Sequence, residues 1–390
     1  MKTLNNISRI VVGIVFVFSG FVKAIDPLGS TYKFVDYFEA FGMDSLSVLA
    51  LPLAILLSSL EFVIGFSLLF ATRKKLTSWA LLIFMSFFTI LTFILAIFNP
   101  VTDCGCFGDA IIMTNWQTFG KNIFLMIFTI ILFVNRNKYE TSWNLKSQWG
   151  LISIPFIFSI LLSAYCYNNL PIIDFRPYNI GTYIPEKMIV PENAPKAEYE
   201  TVLVYKKDGI EKEFTMNNLP DSTWEWVSTK NIQKSEGYIP PIHDFTISTL
   251  LGNDITEIIL NDSKFTFLLV AYDLKKTSTK NIEEINELAE FAQESGVCNF
   301  ICLTSSLESE IEKFKEETNA SYMFFNTDEI TLKTIIRSNP GIVLLKKGTI
   351  IGKWHHNNTP SGEDITEDYI NNPKYKNNSP ERDEVLADLN

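Results

Sequence analysis

The residues best equipped for chemistry stand together in Asp103-Cys104-Gly105-Cys106-Phe107-Gly108-Asp109, between two long apolar runs. Two thiols one residue apart can cycle between dithiol and disulfide. A Cys-x-Cys ring is tight, and strained disulfides are the more oxidising and labile ones. Carboxylates at 103 and 109 raise the pKa of nearby thiols and so slow nucleophilic attack. Two thiolates with Asp103 and Asp109 also make a zinc donor set, but structural zinc favours four nitrogen or sulfur ligands. Cys166 is the other cysteine of this half, and His243, His355 and His356 stand at no ligand spacing from any cysteine, so no metal is expected. A third reading stays open, in which Gly105 and Gly108 form a compact turn and the thiols are passive.

Apolar runs must hold this loop. A helix needs roughly 20 residues to span a hydrocarbon core of about 30 Å. Five runs qualify or come close: Ile10–Ala24, Leu46–Thr72, Leu76–Phe98, Phe119–Val134 and Trp149–Tyr167. Trp79, Trp116 and Trp149 fall near run ends, as interfacial aromatics do. Basic residues fix the expected orientation. Lys2 and Arg9, Arg73-Lys74-Lys75, and Arg136, Lys138 and Lys146 lie on the cytoplasmic side, which puts the thiol loop and everything after Tyr167 outside. The first run has a second reading, a cleaved signal peptide ending in Val22-Lys23-Ala24.

Charge divides the chain. Residues 1–167 carry eleven basic and eight acidic side chains, a net +3, and residues 168–390 come to −14. The first half reads as membrane and the second as soluble and acidic. Nothing basic and aromatic-interleaved suggests a nucleic-acid partner. Within the membrane half, Glu61 sits in the interior of its run, where an ionisable residue needs a partner or a cavity. Lys23 stands close enough to a helix end to snorkel.

Phe18-Ser19-Gly20-Phe21-Val22-Lys23 with Asp26-Pro27, Glu61 with Gly65, and Asp-Cys-Gly-Cys-Phe-Gly before the fourth run resemble the DoxX/MauE-like membrane family, in the type found in Bacteroidota envelopes. The resemblance covers roughly 7–135. It implies a four-helix membrane bundle, distantly similar to vitamin K epoxide reductase, with links to disulfide chemistry or quinones.

After a Pro- and Asn-rich linker over 168–195, residues 199–216 read as a hairpin, and 224–228 continue extended. From Phe265 onward the pattern alternates strand, helix, strand, helix, strand, helix and a final hairpin at Gly341–Trp354, an α/β layer architecture. Asn281-x-x-Glu284 and Ser305-x-x-Glu308 read as helix caps. Cys298 and Cys302 share a strand face about 13 Å apart, too far to pair, and read as core thiols. This order resembles a thioredoxin-like domain over 237–358, which implies a cis peptide at Asn339-Pro340 and a partner-binding face there. The family's Cys-x-x-Cys position reads Asp273-Leu274-Lys275-Lys276-Thr277-Ser278-Thr279, without cysteine.

The expected fold class is therefore an α-helical membrane bundle, four DoxX/MauE-like helices over 1–140 plus a fifth over 141–167, followed by an α/β thioredoxin-like domain. Residues 168–236 form a linker and a small β segment, 237–358 the periplasmic domain, and 359–390 a polar tail. Two functions compete. In one, an inner-membrane protein uses Cys104 and Cys106 to exchange electrons with a periplasmic thiol protein or a membrane quinone, with Glu61 serving proton movement and Pro340 marking the partner face. In the other, the chain is a non-catalytic accessory subunit of an envelope complex.

Overall fold

The computed structural model describes residues 2–101, 103–137, 143–196, 198–216, 218–235 and 237–376. Six helices make up the first half: α1 (Lys2–Ile25), α2 (Pro27–Ala40), α3 (Ala50–Leu69), α4 (Lys74–Phe98), α5 (Asn115–Val134) and α6 (Leu145–Asn168). All but α2 are long and apolar enough to cross a membrane. The first run is not short. α1 extends back to Lys2 because Asn5 and Ser8, polar residues that interrupt the apolar pattern, are buried against the bundle. α6 starts four residues before the expected Trp149, where the Asn144 side chain accepts from the Ser147 N–H at 2.8 Å. A Thr114–Gln117 capping box starts α5.

The sequence reading left α2 unassigned, although its start is written in Asp26-Pro27. The Asp26 carboxylate caps the helix through the Gly29 N–H at 2.8 Å, and Pro27 occupies the first turn, where a missing N–H costs nothing. α1 and α3 pack backbone to backbone. A Cβ on Gly20 would lie 2.5 Å from the Phe62 nitrogen, and one on Gly65 would lie 2.6 Å from the Val17 nitrogen. Small residues allow such approach where lipid supplies no hydrophobic drive between helices. Gly20→Ala is expected to cost about 1–3 kcal/mol by overpacking. Gly120→Ala, with nothing within 4 Å of its added carbon, should leave the unfolding midpoint in detergent unchanged.

The second half opens with an antiparallel sheet in the order β2 (Ile210–Thr215), β1 (Glu198–Lys207), β3 (Glu225–Ser235). A mixed sheet of five follows. Its strands are β4 (Phe265–Val270), β5 (Cys298–Thr304), β6 (Met323–Asn326), β7 (Gly341–Lys346) and β8 (Thr349–His355), in the order β6-β5-β4-β7-β8. β6, β5 and β4 run parallel, β7 runs antiparallel to β4, and β8 runs antiparallel to β7. Helices α7 (Ile282–Ser295), α8 (Glu308–Thr318) and α9 (Glu329–Ile335) connect the strands. β4 is buried at every residue, and its side chains alternate between two cores as a pleated strand requires. Phe265, Phe267 and Leu269 pack with Ile285 and Leu288 of α7 and Ile311 of α8, whereas Leu268 and Val270 pack with Leu332 and Ile335 of α9.

Four expectations need correction. The 168–195 segment is no free linker: its Tyr178 and Ile184 are buried in the second core, and its backbone pairs with the β8 edge through Gly181 N–H to Ile350 O at 2.7 Å. Aromatic and aliphatic anchors, not a helical period, decide that placement. Packing also runs past Asn358. Ile365 is fully buried, and Tyr369 meets the Trp354 ring at 5.7 Å and stacks on Tyr375, while 377–390 of the expected tail lies outside the described residues. Asn281 makes no capping bond, and α8 starts at Glu308 because the Glu310 carboxylate accepts from the Leu307 N–H, while the Ser305 hydroxyl donates instead to the Tyr272 carbonyl. Cys298 and Cys302, as expected, are buried in the core.

Candidate functional site

Hydrogen bonds from three elements hold the thiol loop. Ser19 of α1 donates to the Cys106 carbonyl at 2.6 Å, and Tyr37 of α2 donates to the Cys104 carbonyl at 2.8 Å. Asn115 of α5 closes the base of the loop on Asn99 and Val101, at 2.8 and 2.7 Å. Within the loop, Asp103 accepts from the Gly105 N–H at 2.9 Å. Gly105 (φ +62°) sits in the left-handed region with the Lys33 side chain 3.0 Å from where a Cβ would be, so only glycine fits the turn.

Cys104 and Cys106 are half-buried free thiols that share a hydrogen bond. That bond sets their character. The Cys106 thiol is lowered from 9.0 to about 6, first by the hydrogen bond from Cys104 and further by the Lys121 and Lys23 ammonium groups, against burial and Glu61. The Cys104 thiol is pushed up by the same bond and by burial. The expectation that Asp103 and Asp109 raise the pKa of the attacking thiol therefore fails for Cys106. Asp103 is spent on Lys33 at 2.8 Å and Asp109 on Arg337 at 2.8 Å, leaving cations to dominate the field at the sulfur.

Beneath the loop lies a cavity of about 320 Å³. Cys104, Gly105, Cys106 and Lys23 form one wall. Phe34 and Phe38 of α2, Leu57 and Leu60 of α3 and Phe88 of α4 make most of the rest apolar. Lys23 does not snorkel. Its Nζ lies 2.7 Å from the Glu61 carboxylate, and both side chains are nearly buried. Close packing of α1 against α3, which the single-run reading could not supply, brings the two together. The structure thus gathers Cys104, Cys106 and, through Lys23, Glu61 around one space. Lys33 and Tyr37, which sequence reasoning did not select, also line it, and Lys121, over the Phe107 ring at 4.4 Å, adds positive charge near the Cys106 sulfur. Only Lys121, a cation soon after the loop, carried a visible signal.

Pro340 stands elsewhere. Its peptide with Asn339 is cis, and the ring is buried in the soluble half. Nearby, Arg337 reaches the membrane half: Nε meets Asp26 Oδ1 and Oδ2 at 3.0 and 2.9 Å, and Nη2 meets Asp109 Oδ2 at 2.8 Å. Its guanidinium lies 5.3 Å from the centre of the Tyr32 ring, whose hydroxyl is 3.3 Å from that of Tyr272. The soluble half and the thiol loop therefore share one end of the bundle. Asp273, where Cys-x-x-Cys was looked for, caps a short turn through the Lys275 N–H. Among the described residues no group of three or more His, Cys, Asp or Glu side chains could hold a metal ion.

Residues 1–135 match the family model for the methylamine utilisation protein MauE, which makes the membrane half MauE-like. Residues 199–236, the three-stranded sheet, match a domain of unknown function, DUF8463. No curated protein matches the chain at a significant level. One solved structure does, the solution structure of a "putative protein disulfide isomerase" from Bacteroides thetaiotaomicron. The identity is 16%, over 32% of this chain and 80% of that one, and the TM-score of 0.26 is too slight a likeness to assign a fold or an activity.

Proposed function

We propose that this multi-pass membrane protein oxidises or reduces the Cys104/Cys106 pair against a lipid-soluble two-electron carrier of the quinone class held in the cavity beneath it. The observation that carries this reading is the placement of two hydrogen-bonded thiols on the wall of an apolar cavity that also presents a buried ammonium–carboxylate pair. Closing a disulfide between the Cys106 thiolate and the Cys104 thiol releases two electrons and one proton; a quinone, when bound, would accept both electrons, that proton and a second one from the Lys23 ammonium, leaving as the quinol. Cys106, already a thiolate at neutral pH, is the electron-rich sulfur. Cys104 carries the thiol proton and closes the S–S bond. Lys23, held by Glu61, holds a proton at the cavity wall. An apolar chamber of this size fits a flat ring better than a protein thiol, which favours the lipid carrier over direct attack by a partner.

In this reading the N-terminus is cytoplasmic, the protein lies in the inner membrane of a two-membrane cell, and the thiol loop and soluble half face the periplasm. The basic residues of the inner loops support that orientation, although Lys138 lies outside the described residues. The strand order and the cis Asn339–Pro340 peptide support a thioredoxin-like fold for the soluble half, without its thiols. The stretch from Arg337 to Pro340 serves as its partner-binding edge, with the chain's own thiol loop as first partner. The accessory-subunit reading keeps one observation of its own. The three-stranded sheet exposes Ile210 and Trp226, and the connection between β2 and β3 exposes Leu219, a surface suited to another envelope protein.

Thiol trapping decides between them. In intact cells treated with a membrane-impermeant maleimide, with and without prior reduction, Cys104 and Cys106 are expected to gain label only after reduction. The protected fraction should follow respiration, and Cys104→Ser should abolish it. Thiols that stay reduced in respiring cells would rule out the redox cycle and leave the accessory role.

A further inference from the structure

The opposite end of the bundle carries a second cavity, unrelated to the thiols. It is small, about 30 Å³, and sits where the start of α1, the turn after α3 and the start of α4 meet. Arg9, Asn5, Thr72, Lys74 and Ser78 line it, over a floor of Leu68 and Leu132. Among the described contacts the Arg9 guanidinium has no hydrogen-bond or ion-pair partner, and its Nε is buried. Other cations of this end are engaged: Arg73 lies over the Trp149 ring at 4.8 Å, and Arg136 over Phe133 at 4.1 Å. The Asn5 amide oxygen accepts from Asn135, which leaves its NH₂ to donate. No Asp or Glu occurs in residues 1–25 or 62–102, so these segments offer Arg9 no carboxylate, and Glu140 between α5 and α6 lies outside the described residues. A buried donor left without an acceptor costs about 1–3 kcal/mol, more when charged.

We propose that this cavity binds the phosphate oxyanion of an anionic phospholipid headgroup. Its volume admits about two water-sized oxygens, since each needs roughly 10–15 Å³. A phosphodiester presents two non-bridging oxygens and keeps its bulk outside. The Arg9 guanidinium and the Asn5 amide donate to them, the start of the 25-residue α4 adds positive potential, and Leu68 and Leu132 adjoin the acyl side. Free phosphate presents the same oxygens, so the test separates the two sources.

The full-length protein in detergent is titrated with phosphatidylglycerol or with diacylglycerol of identical chains and read by native mass spectrometry. Retention of phosphatidylglycerol is expected to exceed that of diacylglycerol, which lacks the phosphate, about tenfold, the worth of one charge-assisted hydrogen bond. Arg9→Gln should remove that preference, whereas Lys75→Gln, an exposed cation of the same end, should keep it. Equal loss in both variants would mean that surface charge alone attracts the lipid, and the site would fall. Inorganic phosphate that displaces the lipid and itself binds through Arg9 would assign the oxyanion site to free phosphate and overturn the lipid. Should Arg9→Gln not fold, a photoreactive phosphatidylglycerol on the wild-type protein must crosslink within residues 5–9 or 72–78. Crosslinks spread evenly over the basic end would refute the proposal.

Discussion

Alkylation of Cys106 in the folded protein is expected to reach half its maximal rate near pH 6, three units below the 9.0 of an unperturbed thiol. The thiolate is the reactive form, so the rate rises with pH through the pKa and levels off above it. At pH 7 about nine-tenths of Cys106 is ionised, against about one-hundredth of an ordinary thiol of pKa 9. Lower basicity returns part of that gain, because nucleophilicity falls with pKa, so the midpoint is a firmer readout than the plateau rate. The Cys104 hydrogen bond is the largest cause, and two variants isolate it. Cys104→Ala should move the midpoint up by more than a unit, whereas Cys104→Ser, which keeps an O–H donor, should move it less. An iodoacetamide pH profile followed by peptide mass spectrometry reads both. A midpoint near 9 in the wild-type protein would remove Cys106 as the electron-rich sulfur.

Arg337→Ala should loosen the soluble half from the membrane half. The Arg337 side chain is 7% exposed and holds two carboxylates at once, Asp26 from the start of α2 and Asp109 from the thiol loop. Removing one partner of a buried ion pair costs about 3–5 kcal/mol, because the other is left buried without countercharge. With the Asp109 side chain 38% exposed, the lower end of that range is expected. Burial already raises the Asp109 carboxyl against the pull of Arg337, so losing the guanidinium should drive Asp109 further toward its neutral form. Arg337→Lys keeps a charge but not the fork that spans two carboxylates, and should recover only part of the loss. Hydrogen exchange is the measurement: amides of residues 27–34 and 105–110 should exchange at least about tenfold faster in Arg337→Ala, as a 3 kcal/mol loss allows. Unchanged protection there would mean that other contacts hold the halves together.

Much of this arrangement was legible because it is periodic or local. Five apolar runs gave five long helices, and alternating apolar stretches from Phe265 onward gave the sheet and its connecting helices, since both patterns repeat within a few residues. Long-range pairs were not legible. A Glu61–Lys23 pair could be raised as an alternative because these are the charges in or near the apolar runs, but its 2.7 Å closeness could not be read, and nothing near Asp109 points to Arg337. The sign of the Cys106 shift was misread only partly for the same reason, since its largest cause, the Cys104 hydrogen bond, is local. Adjacent carboxylates are visible in the sequence, but their pairing with Lys33 and Arg337 is not, nor are the cations from α1 and α5 that add to that bond. α2 was missed through its weak amphipathic pattern, although Asp26-Pro27 announces it.

The rim of the thiol cavity carries exposed apolar side chains, Phe41, Met43, Leu56, Leu60 and Phe87. A ligand that enters past them comes out of the bilayer rather than out of water. Its occupancy then follows its mole fraction among the lipids, a two-dimensional quantity, and an aqueous concentration is the wrong axis for a titration. Diluting the same amount of carrier with added lipid should weaken saturation as diluting a solute in buffer does, and adding buffer should leave it untouched.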